Sequence, residues 1–394
     1  MDSDDPISAS QQTTIIVGGG VAGLACAHRL TQSGETDFLL VSENLGGRVL
    51  TSADQQVNYG AFYVRSDYEN LRPFVKLKRR IRSQSMFVRY RGEWKSLLDF
   101  RTWKHTLSLL RFLWFLRKFR IRYAKFRRIC EHTSQKVALS QDPWLEALFK
   151  RPAVETIEQL GIQFWTKCFL ESLVRATAFL DIQEIFGCHF LACCLPITTP
   201  AYEFDFQLQR LIEPFQWAIR KAKVVRTTKT DDSWRVETDA GECFLGHNLV
   251  LATPLSVSQQ LVQIDEPANP ASAVYLVHLR GQLRPEYARH EIYMLSREGD
   301  DIVLVHEPNG TVLLYSRCPI PNVELYFESY EIIAHHHWDP AFFIGNEILE
   351  SDRGDGLFLI GDHSICSLED AFITGLFAAN RIIAAQNHPA ARRN

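Results

Sequence analysis

The sequence predicts an α/β protein: a Rossmann-like nucleotide-binding domain completed from both ends of the chain, with a mixed α+β domain inserted between its segments. Three observations predict it. An apolar strand, Ile15-Ile16-Val17, runs into Gly18-Gly19-Gly20-Val21-Ala22-Gly23, a complete G-x-G-x-x-G, and a helical pattern and a second strand follow in the order that motif requires. A middle apolar strand, Asn248 to Ala252, is preceded by a hairpin pattern. Near the other end, Gly356 to Asp362 reads as a buried strand that ends in Gly-Asp and leads into a helix. With 394 residues and 46% hydrophobic content, the chain can bury a full core and is long enough for two domains.

The first unit accounts for each of its glycines. Gly18 allows the tight turn, Gly20 lets the backbone approach a pyrophosphate, and Gly23 lets the helix pack close to the strand. The unpaired N–H groups around Ala22, at the helix start, face the phosphates. Apolar spacing at Leu24, Ala25, Ala27 and Leu30 carries the helix to Gly34, and the strand Phe38-Leu39-Leu40-Val41 ends at Ser42-Glu43. Glu43 falls 20 positions after Gly23, where an acid accepts hydrogen bonds from a ribose.

Gly46-Gly47-Arg48 follows almost at once, and it resembles the GGR of the large FAD family that includes amine oxidases, protoporphyrinogen oxidase and phytoene desaturases. The resemblance implies FAD as cofactor, with Gly47 passing close to it and Arg48 meeting its phosphates. In one respect the chain departs from that family. Only Asn44 and Leu45 separate Glu43 from Gly46, so the loop is short and Ser42 is the other candidate for the acid position.

The resemblance extends further along the chain. Val57 to Tyr63 reads as a short strand, and Gly60, with Ala61, matches the family's glycine beside the flavin ring; a bulge glycine is the other reading. Val224 and Val225 open the hairpin strand whose valine backbone, in the family, pairs with adenine, and the strand after it ends in Ala252-Thr253-Pro254. Asp362 matches the family's aspartate on the ribityl or phosphate part of FAD. The helix starting at Leu368, Asp370 and Ala371 would aim its N–H groups at the flavin C2 carbonyl. Ser367 is its expected N-cap, and Glu369 and Asp370 are acids in its first turn.

These segments divide the chain into cofactor-binding segments at 13–66, 205–265 and 346–394, a basic helical substrate or cap domain at 67–204, and a β-rich substrate domain at 266–345. The helical pattern is read from Asp67 through Arg128. Pro143 to Leu195 is helical and apolar until Pro196 and Pro200 break it, and Phe206 to Ala222 is a further helix. Val274 to Tyr330 alternates in short β-rich runs.

The formal net charge of -3 conceals an asymmetry. Arg72 to Arg128 carries 19 basic residues against Glu93 and Asp99 alone. Within Arg101 to Arg128, Lys104, Arg111, Lys118 and Lys125 recur every seven residues and share one helical face, beside Arg122. Leu109, Leu113 and Leu116 fall away from it, and Phe112, Trp114 and Phe115 broaden the apolar side. Such a helix suits an anionic membrane surface; a solvated cap helix and an acidic carrier protein are the other readings. Nucleic acid is not expected, because no binding module accompanies the charge.

No stretch approaches the roughly 20 uninterrupted apolar residues of a spanning helix, and Met1 to Gln12 is acidic and polar. The nine cysteines form no CxxC pair, which reads as reduced thiols in a cytoplasmic, or peripherally membrane-bound, protein. His335-His336-His337 invites a metal, yet neighbours on a strand point to opposite faces and no carboxylate or cysteine spacing completes a site, so no metal is expected.

The expected function is that of an FAD-dependent oxidase or desaturase that removes hydride from an apolar substrate. The alternatives are a flavin-dependent amine oxidase and a redox-neutral flavin isomerase. The amine oxidase branch commonly carries a lysine near flavin N5, in the strand that here reads Ala273 to Leu279 without one. His278, His363 and the histidine triplet are acid/base candidates by chemistry alone, Cys366 is a candidate for a position near the flavin, and no catalytic residue is assigned.

Overall fold

The computed structural model describes residues 10–100, 103–267, 269–295 and 299–387. Its organising sheet grows from β1 (Ser10–Gly19), which passes through a glycine turn into α1 (Val21–Gln32) and returns as β2 (Phe38–Leu45). β1 lies between β2 and the strand Cys243–Leu251 and is parallel to both, with Ile15 opposite Leu39 on one side and Leu249 on the other. Leu357–Leu359 pairs parallel with Cys243–Leu251, so one sheet takes strands from the start, middle and end of the chain. Ile15, Ile16, Leu40, Leu249 and Val250 are fully buried, as strands covered on both faces must be. The Trp234–Thr238 and Val224–Lys229 hairpin extends one edge.

The helix Leu368–Asn387 packs on α1. Only glycine fits at Gly375, where a Cβ would stand 2.1 Å from the Ala22 carbonyl oxygen. This contact fixes the two ends of the chain against each other beside the glycine turn.

The inserted region has a sheet and a helical layer. Its seven strands run in the order Phe327–Phe343, Ala271–Leu283, Val312–Ser316, Asp301–His306, Ile292–Met294, Met86–Tyr90 and Glu93–Lys95. The helical layer contains α2 (Thr106–Cys130), Pro143–Lys150, Ala153–Leu160, Glu171–Ala178 and Gly187–Cys194. α2 has neither glycine nor proline, and its buried Phe112, Leu116, Phe119, Tyr123, Phe126 and Cys130 recur every three or four residues. Asp142 caps the next helix by accepting from the Leu145 N–H at 3.1 Å.

Several expectations need correction. Residues 67–100 are not helical throughout: Val75–Ile81, Met86–Tyr90 and Glu93–Lys95 are strands. Val75–Ile81 is buried at both ends and exposes Lys76, Lys78 and Arg80, a period of two that the dense positive charge obscures. Val57–Tyr63 forms no strand, only an isolated bridge between Asn58 and Thr51. The helix expected over 206–222 shortens to Leu208–Ile212 and a 3-10 turn at Pro214, ending in the strand Ile219–Arg220. Arg101, the first residue of the stretch singled out for its basic face, lies outside the described residues.

Candidate functional site

A cavity of about 670 Å3 runs from the glycine turn into the space between the second sheet and the helical layer. Its first end is built by β1, α1 and β2. Gly18 has φ +112°, and a Cβ there would stand 2.7 Å from the Ala252 carbonyl group. Nothing lies within 4 Å of a Cβ built on Gly20, so that face of the turn is open. No side chain caps α1, so the first-turn N–H groups of Val21 and Ala22, both lining the cavity, are presented to it. Gly23 lies outside the cavity; its missing Cβ lets the helix sit on the Gly18 carbonyl, as expected.

At the end of β2 the two acid-position candidates separate. The Ser42 hydroxyl accepts from the Gly19 N–H at 2.8 Å and donates to the Asn44 carbonyl at 2.7 Å, so it holds the glycine turn. Glu43 is exposed at the cavity rim and has no partner among the described residues. Glu43 is therefore the free carboxylate.

Gly47, Arg48, Gly60, Ala61, Ala252, Gly361, Asp362, Leu368, Asp370 and Ala371 all line the cavity. Arg48 and Asp362 form an ion pair. The absent side chain of Gly60 accommodates the Arg48 carbonyl, which a Cβ would approach to 1.8 Å. Ser367 caps the C-terminal helix, accepting from the Asp370 N–H at 3.0 Å. Val224 and Val225 are not brought to the cavity: they lie on the outermost strand, with Val225 exposed at a bulge.

Asp370 is not a free carboxylate. Arg127 donates to it from Nε at 3.0 Å and from a terminal nitrogen at 2.7 Å, and the Tyr123 hydroxyl donates at 3.1 Å. Burial pushes its pKa up, but Arg127 and the hydrogen bonds outweigh burial and leave it below the usual carboxylate value. Glu369 accepts from the N–H groups of Glu69, Asn70 and Leu71 at 2.8–2.9 Å, anchoring the chain before the first inserted strand.

The far end of the cavity is apolar. Ile81, Met86, Val274, Ile292, Val303, Val305 and Phe179 converge there, with Tyr315 stacked on Phe179 at 5.6 Å. The Tyr315 hydroxyl is buried and has no hydrogen-bond partner. Beneath Phe149, His189 also lines the cavity, fully buried with both ring nitrogens unpartnered, and burial lowers its pKa to about 4.

The other histidines resolve individually. His278 is structural: Nδ1 shares a hydrogen bond with the Tyr59 hydroxyl at 2.9 Å, and Nε2 shares one with Thr311 at 2.7 Å. His363 donates from Nε2 to the Ile360 carbonyl at 2.9 Å and leaves Nδ1 in the cavity wall without a partner. His337 stacks on Tyr275 at 4.2 Å while His336 packs on Tyr59 at 4.5 Å, on opposite faces of the strand. Among the described residues no group of histidine, cysteine and carboxylate side chains is arranged to hold a metal. None of the nine cysteines is in a disulfide. Cys366 lines the cavity, and burial, with Asp362 beside it, raises its thiol pKa far above the ordinary value, so little thiolate forms there at neutral pH.

These residues fit a dinucleotide. An open glycine face, uncapped helical N–H groups, an arginine and a free acid at the end of β2 supply donors for two phosphates and an acceptor for a ribose. Sequence reasoning found this end because its signals are local. It missed Tyr63, Arg65, Tyr123, Arg127, His189 and Tyr315, which reach the cavity from four separate elements.

Fold and site together define a two-domain protein with a Rossmann-like dinucleotide-binding domain. A family model described as an NAD(P)-binding Rossmann-like domain matches residues 16–76. No curated protein matches the chain. Among solved structures, a CLA-producing fatty acid isomerase from P. acnes matches with TM-score 0.69 at 13% identity, covering 94% of this chain and 98% of its own. A putrescine oxidase double mutant redesigned for cofactor binding matches with TM-score 0.68 at 11% identity, covering 95% and 100%. Cyclohexylamine oxidase from Brevibacterium oxydans matches with TM-score 0.65 at 14% identity, covering 97% and 100%. The chain thus shares its overall fold with these three solved structures.

Proposed function

We propose that the protein is an FAD-dependent oxidoreductase acting on an apolar substrate. One observation carries this reading. The dinucleotide end, with Gly20, Arg48, Asp362 and the start of the C-terminal helix, opens into a chamber walled by Ile81, Met86, Val274, Ile292, Val303 and Val305. FAD, when bound, accepts hydride or electrons at its flavin ring. The protein's own part is to hold and exclude. Arg48 and the first-turn N–H groups of α1 offset phosphate charge, and the start of the C-terminal helix at Leu368 favours negative charge beside it. The apolar chamber keeps water from the substrate, and the Tyr315 hydroxyl is free to hold a polar atom on it.

An amine oxidase is less well supported. The strand Ala271–Leu283 carries no lysine, and two of the carboxylates that line the cavity, Asp362 and Asp370, are already paired with arginines. A redox-neutral isomerase of an apolar substrate is the second reading, because the same chamber serves it equally. No helix among the described residues is long and apolar enough to cross a membrane.

The visible spectrum of the purified protein, recorded with a lipid extract of the host and then in air, tests the reading. A flavin spectrum that bleaches with the extract and returns in air supports the oxidase. Conversion of a lipid component without bleaching or oxygen uptake supports the isomerase. A colourless protein that rejects added FAD overturns both.

A further inference from the structure

We propose that the outer face of α2 docks the protein on an anionic phospholipid membrane. The face differs from the one the sequence suggests. The apolar side opposite the basic stripe is consumed by the core, with Phe112, Leu116, Phe119 and Tyr123 buried. A second apolar stripe is left outside: Leu107 is 74% exposed, Leu110 58%, Trp114 65% and Ile121 58%. At the helical rotation of about 100° per residue these four fall within an arc of roughly 60°, over about 21 Å of helix.

Cations border that stripe on both sides. Arg111, Lys118 and Lys125 follow one edge, Arg117 and Arg128 the other, and α2 contains no acidic residue. Arg111, Arg117 and Lys125 have no carboxylate partner among the described residues. Arg128 pairs with Glu69, and Lys118 lies over the Trp144 ring at 4.8 Å. An apolar ridge with a tryptophan at its centre and cations along both margins matches an interface of acyl chains beneath anionic headgroups.

A cleft of about 480 Å3 adjoins the Ile121 end of the stripe. It is lined by Arg120, Lys125 and Arg128 together with Ser66, Asp67 and Thr199. Asp67 is already held by Arg65 at 2.9 Å. Thr199 is only 2% exposed, and its hydroxyl has no hydrogen-bond partner. Three cations and a buried unpartnered hydroxyl suit a lipid phosphate. On the inner side of the same helix, Tyr123 and Arg127 form part of the cavity wall.

The test is cosedimentation of the full chain with vesicles of phosphatidylcholine alone, or of phosphatidylcholine with an equal part of phosphatidylglycerol, at low and high salt. The protein is expected to sediment with the anionic vesicles, and less so at high salt. Each basic residue near such a surface is worth about fivefold in binding, so reversing Arg111→Glu and Lys125→Glu together should weaken it at least tenfold. Trp114→Ser with Leu110→Ser should weaken it with the charges intact, and Thr199→Val should weaken it with both stripes intact. All these side chains except Thr199 are exposed or at the rim, and an unchanged melting temperature confirms that each variant folds. Absence of sedimentation with anionic vesicles overturns the proposal. Binding that Trp114→Ser with Leu110→Ser leaves unchanged also overturns it, because purely electrostatic binding points to an acidic macromolecule instead. Vesicle binding is read without any flavin signal, so its failure is independent of the proposed chemistry.

Discussion

Arg48 and Asp362 stand 314 residues apart in sequence and meet as an ion pair in the wall of the cavity. Arg48 also donates to the Ala341 carbonyl at 3.3 Å, so one side chain joins the loop after β2, the long strand Phe327–Phe343 and the Gly-Asp turn. Both groups line the dinucleotide end, where a phosphate would draw the guanidinium. Arg48→Ala is expected to weaken FAD retention at least tenfold, about 1.4 kcal/mol. Asp362→Ala should also weaken it, while leaving Arg48 free for phosphate. Flavin absorbance of the gel-filtered protein measures both, and retention unchanged in Arg48→Ala would remove the arginine from the cofactor site.

A second ion pair has a different role. Arg127 and Asp370 are both buried and bidentate, so removing one partner strands the other charge. Arg127→Met is expected to destabilise the fold by about 3–5 kcal/mol, and Arg127→Met with Asp370→Leu should recover much of that loss. The folded-state pKa of Asp370 is lowered, so its contribution is present above the ordinary value of 3.8 and is lost as pH falls through the folded value. Urea unfolding at neutral and acid pH checks both statements. A double variant as unstable as Arg127→Met would mean that the pair's surroundings, rather than its charge, matter.

The contrast between these pairs shows what the sequence reveals. The glycine turn, GGR and the Gly-Asp strand are local patterns whose geometry follows from a few adjacent residues, and they fixed the sheet and one end of the cavity. Arg127 belongs to a run of basic residues and looks solvated; its burial depends on Asp370, 243 positions away. His278 looks like an acid/base candidate until Tyr59 and Thr311 occupy both nitrogens. The stripe of Leu107, Leu110, Trp114 and Ile121 looks like core, because nothing local says which of two apolar faces the helical layer will cover. Val224 and Val225 carry the family pattern, yet their strand forms the sheet's outer edge.

His189 gives the fold a measurable acid sensitivity. Burial lowers its pKa from 6.5 to about 4, so between those values the unfolded chain binds a proton that the folded chain refuses. Stability should fall as pH drops through that window, by up to about 3 kcal/mol. His189→Leu should remove this fall and also eliminate two unpartnered buried nitrogens. Thermal melts across the window read the difference. Parallel curves for the wild type and the variant would place the acid sensitivity elsewhere.

Glu307 should do the reverse. It follows the strand Asp301–His306 and is buried; burial first, then the neighbouring Glu203, raises its pKa from 4.5 to about 7. Arg79 opposes that rise only partly, because it is committed to Glu203, donating from Nε at 3.0 Å, and to the His306 carbonyl at 3.0 Å. Between pH 4.5 and about 7 the folded chain therefore holds a proton that the unfolded chain has released. Stability falls as pH rises through that window, and the loss, up to about 3 kcal/mol, persists above it. Glu307→Gln mimics the protonated side chain at every pH. It should match the wild type below pH 4.5 and gain on it through the window, and its advantage should be constant above pH 7. An advantage of equal size on both sides of the window would mean that the amide improves packing rather than relieving a buried charge.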